Sequence, residues 1–212
     1  RVTATALTCL QDIEAFDAVH SGAEHAAALV ETLLTEAVAA SDLVVPTGLS
    51  FAAYDFALAG ERWRWGDYAV GERIDHVDRV TIEEAEHMLA TRLWQNTSKV
   101  HFDVSQREDG RRLIYGGHVI SLARALSFNG LANAQMMVAL NAGAHANPCF
   151  AGDTVRAWSE VLDRAETQVA SVGALRLRLV ATKGKAGELR GADGKYLPEV
   201  LLDLDYWALV PR

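Results

Sequence analysis

Cysteine is scarce in this sequence. Its 212 residues include only Cys9 and Cys149, which lie far apart in ordinary surroundings. Two isolated cysteines cannot form the disulfide framework of small secreted proteins, and they favour reduced thiols and a cytoplasmic location. No pair of histidines or cysteines has the spacing of metal ligands, so the sequence predicts no metal site.

Long apolar runs and an excess of basic residues are also missing. No run reaches the roughly 18 apolar residues that a membrane-spanning helix needs, and no signal peptide is visible. Acidic residues outnumber basic ones by 28 to 20, which gives a net charge of −8 and an isoelectric point near 5.3. This balance argues against a nucleic-acid-binding surface, and we expect neither nucleic acid nor a membrane among the partners.

Apolar residues, by contrast, make up 50% of the chain, which is enough to bury a full core. The first 60 residues differ from the rest. Ser21 and Glu24 form a capping box before apolar residues at helical spacing, which predicts a helix that ends near Ser41-Asp42. Residues 45–60 are predicted to be a linker or an irregular covering layer, and we assign no chemistry to residues 1–60. Residues 61–212 are predicted to form one domain.

The remainder of the chain has one helix, then a very apolar helix, and several strands. Thr81 with Glu84 forms a second capping box, for a helix that continues to about Trp94. The nearly all-apolar helix is predicted between Tyr115 and Gly130. Strands are predicted at residues 72–80, 136–141, 154–162, 175–182 and 200–208. Because most strands follow one another without intervening helices, the sheet should be antiparallel and wrapped around the apolar helix.

The start of the apolar helix is a first candidate site. It opens on Gly116-Gly117, where backbone can approach a ligand closely, and it stops at Asn129-Gly130, a pair suited to a left-handed helix end. A buried helix with a glycine-lined start presents unpaired N–H groups and the positive end of its dipole to a polarised oxygen. The two glycines could equally serve tight packing against a strand.

A second candidate lies between Asn96 and Asp103. This run partly matches the motif Asp-x-Asn-Pro-x-His-x-Asp: His101 and Asp103 match, Asn96 stands at the acidic position, and Ser98-Lys99 replaces Asn-Pro. Together with Gly117 and the turn Phe150-Ala-Gly-Asp-Thr-Val155, the pattern resembles the MaoC-like hydratases of the hot-dog fold. The resemblance implies an α+β hot-dog fold, in which an antiparallel sheet wraps around one long buried helix.

Longer strings resemble one branch of this family, whose members hydrate mesaconyl-CoA, also called 2-methylfumaryl-CoA. The strings are residues 91–97, 112–133 and 201–207, and the resemblance covers roughly residues 65–210. That branch normally has another hot-dog half ahead of this one. Residues 1–60 are too few for that half, so we expect them to be its remnant in a truncated relative, a cleaved chain or a longer protein.

The resemblance implies roles for particular residues. His101 would act as general acid and base toward water, and the Gly117 N–H would hold the negative charge on the thioester oxygen. Asn96 cannot exchange a proton at neutral pH and would hold the water or the substrate carbonyl. The second proton would then fall to His101 alone, or to His101 assisted by Asp103. Further substrate contacts are predicted for Gln95, Ser98, Lys99, Asp103, Tyr115 and Gly116.

A mesaconyl substrate also carries a free carboxylate, which a buried site must neutralise or hydrogen-bond. The candidate cations near the motif are Arg92, Lys99, Arg111 and Arg112. Among the histidines, His145 is a further candidate for substrate contact, and His118 is expected to point away from the chemistry. We expect His76 and His87 to be ordinary surface residues.

Two other functions stay open at this point. An acyl-CoA thioesterase would use the same fold and glycine, with water attacking the thioester carbon. A non-catalytic acyl-CoA sensor or structural protein would account for Asn96 in place of the acid. In each case coenzyme A enters as part of an acyl-CoA ligand, and no separate cofactor is expected. Because hot-dog sites commonly form at the seam between two domains, we expect a homodimer or a larger homo-oligomer.

Overall fold

The computed structural model describes residues 37–96, 98–184 and 188–212. The helices of that part of the chain are α1 (Phe56–Ala59), α2 (Glu84–Leu93), α3 (Gly116–Leu126) and α4 (Phe128–Leu131). The strands are β1 (Arg73–Thr81), β2 (Met136–His145), β3 (Thr154–Glu166), β4 (Val172–Lys183) and β5 (Val200–Pro211). Short 3-10 turns lie at Ala40–Asp42, Trp65–Asp67, Lys99–His101 and Val104–Gln106. Each predicted strand is present.

The strands pair into an antiparallel sheet with the order β1-β3-β4-β5-β2 within the described residues. β1 and β2 therefore lie at opposite edges, and the chain crosses from one edge to the other by way of α3. α3 packs on one face of the sheet, against β3, β4 and β5. An antiparallel sheet wrapped around a central helix is the hot-dog fold, and the prediction of this fold is confirmed.

The side-chain alternation of β4 decides which face of the sheet meets α3. Leu175, Leu177 and Leu179 are fully buried and share a core cluster with Val119 and Ala123 of α3. Burying one leucine stabilises the fold by roughly 1.5–3 kcal/mol relative to leaving it exposed. This row of leucines therefore holds α3 across the middle of the sheet.

The opposite face of the sheet is covered as well. Trp207 donates its Nε1–H to the Val38 carbonyl at 3.0 Å, and the Val38 N–H donates to Asn141 Oδ1 at 2.9 Å. Val180 is also fully buried, in a cluster with Leu189, Tyr196 and Leu197. The alternation of residues 175–182 suggests a strand with one buried face, but β4 is buried on both faces because segments distant in sequence pack over the second one.

The helix predicted from Ser21 lies outside the described residues except for its last residues. Residues 37–39 are not helical and Ala40–Asp42 is a 3-10 turn, so the predicted helix end near Ser41-Asp42 is wrong. The reason is that Val38 uses its N–H and carbonyl to bind side chains of the sheet. Residues 45–60 form an irregular covering layer with the single turn α1. The division of the chain at residue 60 stays a prediction.

The helix predicted to start at Thr81 is present, but its cap is not the predicted one. Thr81 is the last residue of β1, and Glu83 caps α2 through a capping box with Glu86. The residues that α2 buries are His87, Ala90 and Thr91, which are spaced at i, i+3 and i+4. A largely polar face of the helix therefore turns inward.

The apolar residues of α2 lie on its outer side. Leu89 is 54% exposed and Leu93 is 69% exposed, and Trp94 beside them is 53% exposed. Leu89 and Leu93 belong to the apolar pattern of this helix, but within this chain they face outward. We call Leu89, Leu93 and Trp94 the α2 stripe.

α3 is less enclosed than its sequence predicts. Val119 and Ala123 are buried, whereas Ala125 and Phe128 are exposed. Gly130 has a φ of 96°, so the left-handed conformation predicted there is present, a few residues after α3 ends. α3 has 11 residues. None of the helices in the part of the chain that the structure describes is long and apolar enough to cross a membrane.

Candidate active site

The start of α3 leaves two backbone donors available. Tyr115 occupies the N-cap position, and its carbonyl accepts the N–H groups of His118 at 2.9 Å and Val119 at 3.3 Å. The N–H groups of Gly116 and Gly117 have no acceptor among the described residues, as is usual in the first turn of a helix. Both donors lie at the positive end of the helix dipole, where an oxygen that gains negative charge is stabilised.

His101 is held by backbone next to this helix start. It lies in the 3-10 turn Lys99–His101 and is 8% exposed. Its Nδ1 is 2.8 Å from the Leu113 carbonyl oxygen, and the Leu113 N–H donates to the Val100 carbonyl at 3.0 Å. A carbonyl can only accept, so Nδ1 carries the proton and Nε2 carries the lone pair. The fold thus selects the tautomer in which Nε2 can act as a base.

The ring of Tyr115 connects the two candidate groups. Its centroid is 5.7 Å from the centroid of His101. A methyl group on Gly117 would lie 2.6 Å from two carbons of the same ring and 2.7 Å from its hydroxyl oxygen. One aromatic side chain therefore lies close to both His101 and Gly117.

The motif residues Gln95 and Asn96 lie where α2 ends. The Gln95 N–H donates to the Arg92 carbonyl at 3.2 Å and the Asn96 N–H to the Thr91 carbonyl at 3.0 Å, which is a Schellman ending. Gln95 has a φ of 51°, a left-handed conformation that costs roughly 1–2 kcal/mol in a residue other than glycine. Asn96 Oδ1 accepts the Ser98 N–H at 2.9 Å, so the amide nitrogen remains as the donor of this side chain.

Asp103 caps the turn that follows the motif. Its carboxylate accepts the Ser105 hydroxyl at 2.7 Å, the Ser105 N–H at 3.0 Å and the Gln106 amide at 2.9 Å. These hydrogen bonds hold the pKa of Asp103 below its usual range, and the bond from the Ser105 hydroxyl has the largest effect. Both oxygens are thus engaged within the loop. Lys99 is exposed, and its side chain makes no hydrogen bond within the described residues.

His87 belongs to the site although the sequence predicts it at the surface. It is 0% exposed, and its Nε2 accepts the Tyr115 N–H at 3.0 Å. Burial lowers the pKa of His87 to about 4, and the neighbouring His101 and His118 contribute to the shift. The prediction is wrong because the opposite side of α2 is the more apolar one, and that pattern conceals which face packs inward.

The neutral state of His87 makes stability depend on pH. Its folded-state pKa of about 4 lies below the ordinary 6.5, so the unfolded chain takes up the proton first as the pH falls. The stabilisation is complete above about pH 6.5 and is lost toward pH 4. Between pH 6.5 and 4.5 the wild type should lose on the order of 2 kcal/mol more unfolding free energy than His87→Gln, whose amide oxygen still accepts the Tyr115 N–H. Urea unfolding across this range measures the difference, and parallel curves would contradict it.

Two other histidines are buried against neighbouring elements. His118 is 5% exposed, and its Nε2 lies 3.2 Å from Glu86 Oε1, on α2. Burial lowers the pKa of His118, and Glu86 opposes that change. His76 is predicted at the surface but is 5% exposed, with ring nitrogens 2.7 Å from the Asn129 carbonyl and 2.9 Å from the Ser159 hydroxyl. That prediction is wrong because the chain after α3 folds back over β1.

His145 ends β2 beside the start of α3. A methyl group on Gly116 would lie 2.5 Å from His145 Nε2, so the ring occupies space that a side chain at residue 116 would need. Partial burial lowers the pKa of His145, and the neighbouring His101 lowers it further. The residue is nevertheless exposed, and neither ring nitrogen has a hydrogen-bond partner among the described residues.

The arginines proposed from sequence as carboxylate ligands are engaged with other groups. Arg112 forms an ion pair with Glu84 on α2. Arg92 donates from Nε to a carbonyl of its own helix at 3.3 Å. The Arg111 guanidinium lies 3.9 Å from the centroid of the Phe150 ring, over which it stacks. None of these contacts involves His101, Tyr115 or the two glycines.

Comparisons with known proteins give consistent results. No family model matches the chain. It is 78% identical over 181 residues to mesaconyl-CoA hydratase of Cereibacter sphaeroides, a match that covers 84% of this chain and 53% of that protein. It is 55% identical over 186 residues to β-methylmalyl-CoA dehydratase of Chloroflexus aurantiacus, with the same two coverages. A crystal structure of a putative MaoC domain protein dehydratase from Chloroflexus aurantiacus has 54% identity, a TM-score of 0.79, and covers 85% of this chain and 53% of its own.

The fold and the site define a hot-dog protein in which a buried histidine lies beside a glycine-lined helix start. With these identities, the chain belongs to the MaoC-like hydratases and dehydratases. It spans about half the length of the curated relatives that it matches.

Proposed function

We propose that this chain carries the site of a hydro-lyase that adds water reversibly to an enoyl-CoA thioester. Mesaconyl-CoA, with β-methylmalyl-CoA as the hydrated product, is the proposed substrate pair, because the two relatives at 78% and 55% identity are named for these compounds. The observation that carries the proposal is that the Tyr115 ring lies close both to His101, whose Nδ1 is on the Leu113 carbonyl, and to Gly117, whose N–H is free.

His101 is the proposed base. The Leu113 carbonyl holds the Nδ1 proton, so the Nε2 lone pair can remove a proton from water while the water oxygen bonds to the β-carbon of the enoyl group. The imidazolium that forms keeps its hydrogen bond to the same carbonyl. An imidazole nitrogen can both accept and donate a proton, which suits a group that takes up a proton and then returns it.

The Gly117 N–H is the proposed donor to the thioester oxygen. Electrons from the carbon–carbon double bond move onto that oxygen as water adds, and the resulting enolate needs a preorganised donor. The N–H at the start of α3 has no protein acceptor to release and lies at the positive end of a helix of 11 residues. The adjacent Gly116 N–H can supply a second donor to the same oxygen.

Asn96 is proposed to position the water or the substrate carbonyl. Its oxygen already accepts the Ser98 N–H, so its amide nitrogen is the group that remains to donate. Asp103 is engaged by Ser105 and Gln106, which leaves His101 as the proposed carrier of both protons. The proton that His101 removes from water would then reach the α-carbon and regenerate the thioester.

We also propose that a second hot-dog unit covers the α2 stripe. Leu89, Leu93 and Trp94 are each more than half exposed, and they lie on the helix that leads into the Asn96–His101 motif. The relatives are about twice as long as the matched region, so this unit is either another copy of the chain or the other half of a longer protein. The molar mass in solution distinguishes a second copy from a second half of one chain.

We propose a cytoplasmic location, which agrees with the scarcity of cysteine in the sequence.

The proposal is tested by incubating the protein with mesaconyl-CoA, crotonyl-CoA and butyryl-CoA while following enoyl absorbance and free thiol together. Hydration predicts loss of enoyl absorbance from the unsaturated thioesters and no thiol from any of them. Release of thiol from butyryl-CoA would identify a thioesterase. Binding of all three thioesters without either change would identify a non-catalytic acyl-CoA-binding protein.

A further inference from the structure

His145 has the features of a ligand-binding residue rather than of a structural one. Among the described histidines, each of the other four has a ring nitrogen at 3.2 Å or less from a protein oxygen or nitrogen. His145 has no such partner, although the ring packs beside Gly116 in a position that excludes a side chain there. The ring thus packs on Gly116 through its Nε2 side, and neither nitrogen is occupied by a protein hydrogen bond.

The position of His145 allows its side chain to contact a group on the acyl chain of the substrate. It ends β2, an edge strand of the sheet, immediately beside the first residue of α3. Gly117, the proposed donor to the thioester oxygen, is the next residue along the chain. His145 also lies close enough to His101 for the two imidazoles to interact electrostatically. A thioester oxygen held at Gly117 would therefore lie one residue from the backbone on which His145 packs.

The proposed substrate has a second charged group, for which the three arginines near the motif are poorly placed ligands. A mesaconyl group has a carboxylate at the end opposite the thioester, and a carboxylate loses too much hydration to enter a site without a donor. Arg92 and Arg112 are engaged within or across α2, and Arg111 stacks on Phe150. An imidazole donates to a carboxylate either as a neutral ring or, more strongly, as a cation.

We infer that His145 binds the free carboxylate of a dicarboxylic acyl-CoA and so determines the preference for such substrates. This inference rests on the proposed function for the identity of the ligand class, but not on any chemical step. A saturated thioester with a carboxylate at its end, such as succinyl-CoA, should bind in the same way without reacting.

The test is a binding experiment on the full chain with succinyl-CoA and butyryl-CoA, which differ in the terminal carboxylate. The wild type should bind succinyl-CoA more tightly. His145→Phe preserves a ring against Gly116 and removes both nitrogens, so it should weaken succinyl-CoA binding about 10- to 100-fold and change butyryl-CoA binding less than about threefold. His145→Gln retains an N–H donor and should lose less. Titration calorimetry measures both constants.

Arg111→Gln is the matched control, because it removes a cation that stacks on Phe150, and it should leave the succinyl-to-butyryl ratio unchanged. Equal weakening of both ligands by His145→Phe, no weakening of either, or collapse of the ratio in Arg111→Gln would each overturn the inference. Because the ligands are saturated, a chain that bound succinyl-CoA selectively but hydrated nothing would retain this inference and lose the proposed function.

Discussion

Replacing His101 with glutamine is expected to lower the kcat for hydration of mesaconyl-CoA by about 100- to 10,000-fold. A glutamine amide can still donate to the Leu113 carbonyl, but it offers no lone pair that takes a proton at neutral pH. The fold should survive, because the replaced ring makes one hydrogen bond to backbone and the substitute can make the same one. The measurement is the initial rate of loss of enoyl absorbance at saturating substrate.

His76→Gln is the matched control for this variant. His76 is an equally buried histidine, but it binds Asn129 and Ser159 near the other end of α3. We expect it to lower the melting temperature while leaving kcat per folded molecule close to that of the wild type. The assignment of His101 as the base would be abandoned if His101→Gln retained a kcat within about threefold of the wild type.

Replacing Gly117 with alanine is expected to lower kcat by about 100- to 1000-fold, the usual effect of losing one oxyanion donor. The added methyl would lie 2.6 Å from the ring of Tyr115, so the ring or the first turn of α3 must move. The centroid of this ring lies 5.7 Å from that of His101 and 6.2 Å from that of Trp94, so a shift of the ring also disturbs these neighbours. Displacing the N–H by even a fraction of an ångström weakens its bond to the thioester oxygen.

Gly66→Ala is the matched control for this second substitution, because a Cβ at Gly66 would meet no atom within 4 Å. It should leave both kcat and the melting temperature unchanged. Gly117→Ala should lower kcat in molecules that remain folded, which thermal melting and circular dichroism establish separately. If Gly117→Ala lowered only the melting temperature and left kcat intact, the glycine would serve packing, and the proposed oxyanion donor would have to be sought elsewhere.

The strands and the apolar helix could be predicted because their patterns are local. In β4 the leucines at residues 175, 177 and 179 alternate with arginines, and this period of two is enough to identify a strand and the face that it buries. The apolar residues of α3 likewise predict a helix at the centre of the fold. The covering of the other face of β4 could not be predicted, because Val180 is buried by residues 189–197, and such non-local packing leaves no periodic signal.

The candidate site was predictable in part for the same reason. His101 and Gly117 carry recognisable local signals, one in a motif and one at a helix start. His87 and His145 carry none, because what distinguishes them is the neighbour that each one contacts, Tyr115 in one case and Gly116 in the other. α2 illustrates the difficulty, since its two leucines are exposed and its histidine is buried within this chain.

The strands, the apolar helix, and a histidine and a glycine suited to acyl-thioester chemistry could all be recognised in the sequence, because each depends on residues that are near one another in the chain. Tertiary structure alone decided which nitrogen of His101 is free, which histidines are buried, and that His145 lies against the start of α3. Those properties depend on contacts between segments that only folding brings together. A proton's position and a side chain's hydration are set by such neighbours, and not by the order of residues along the chain.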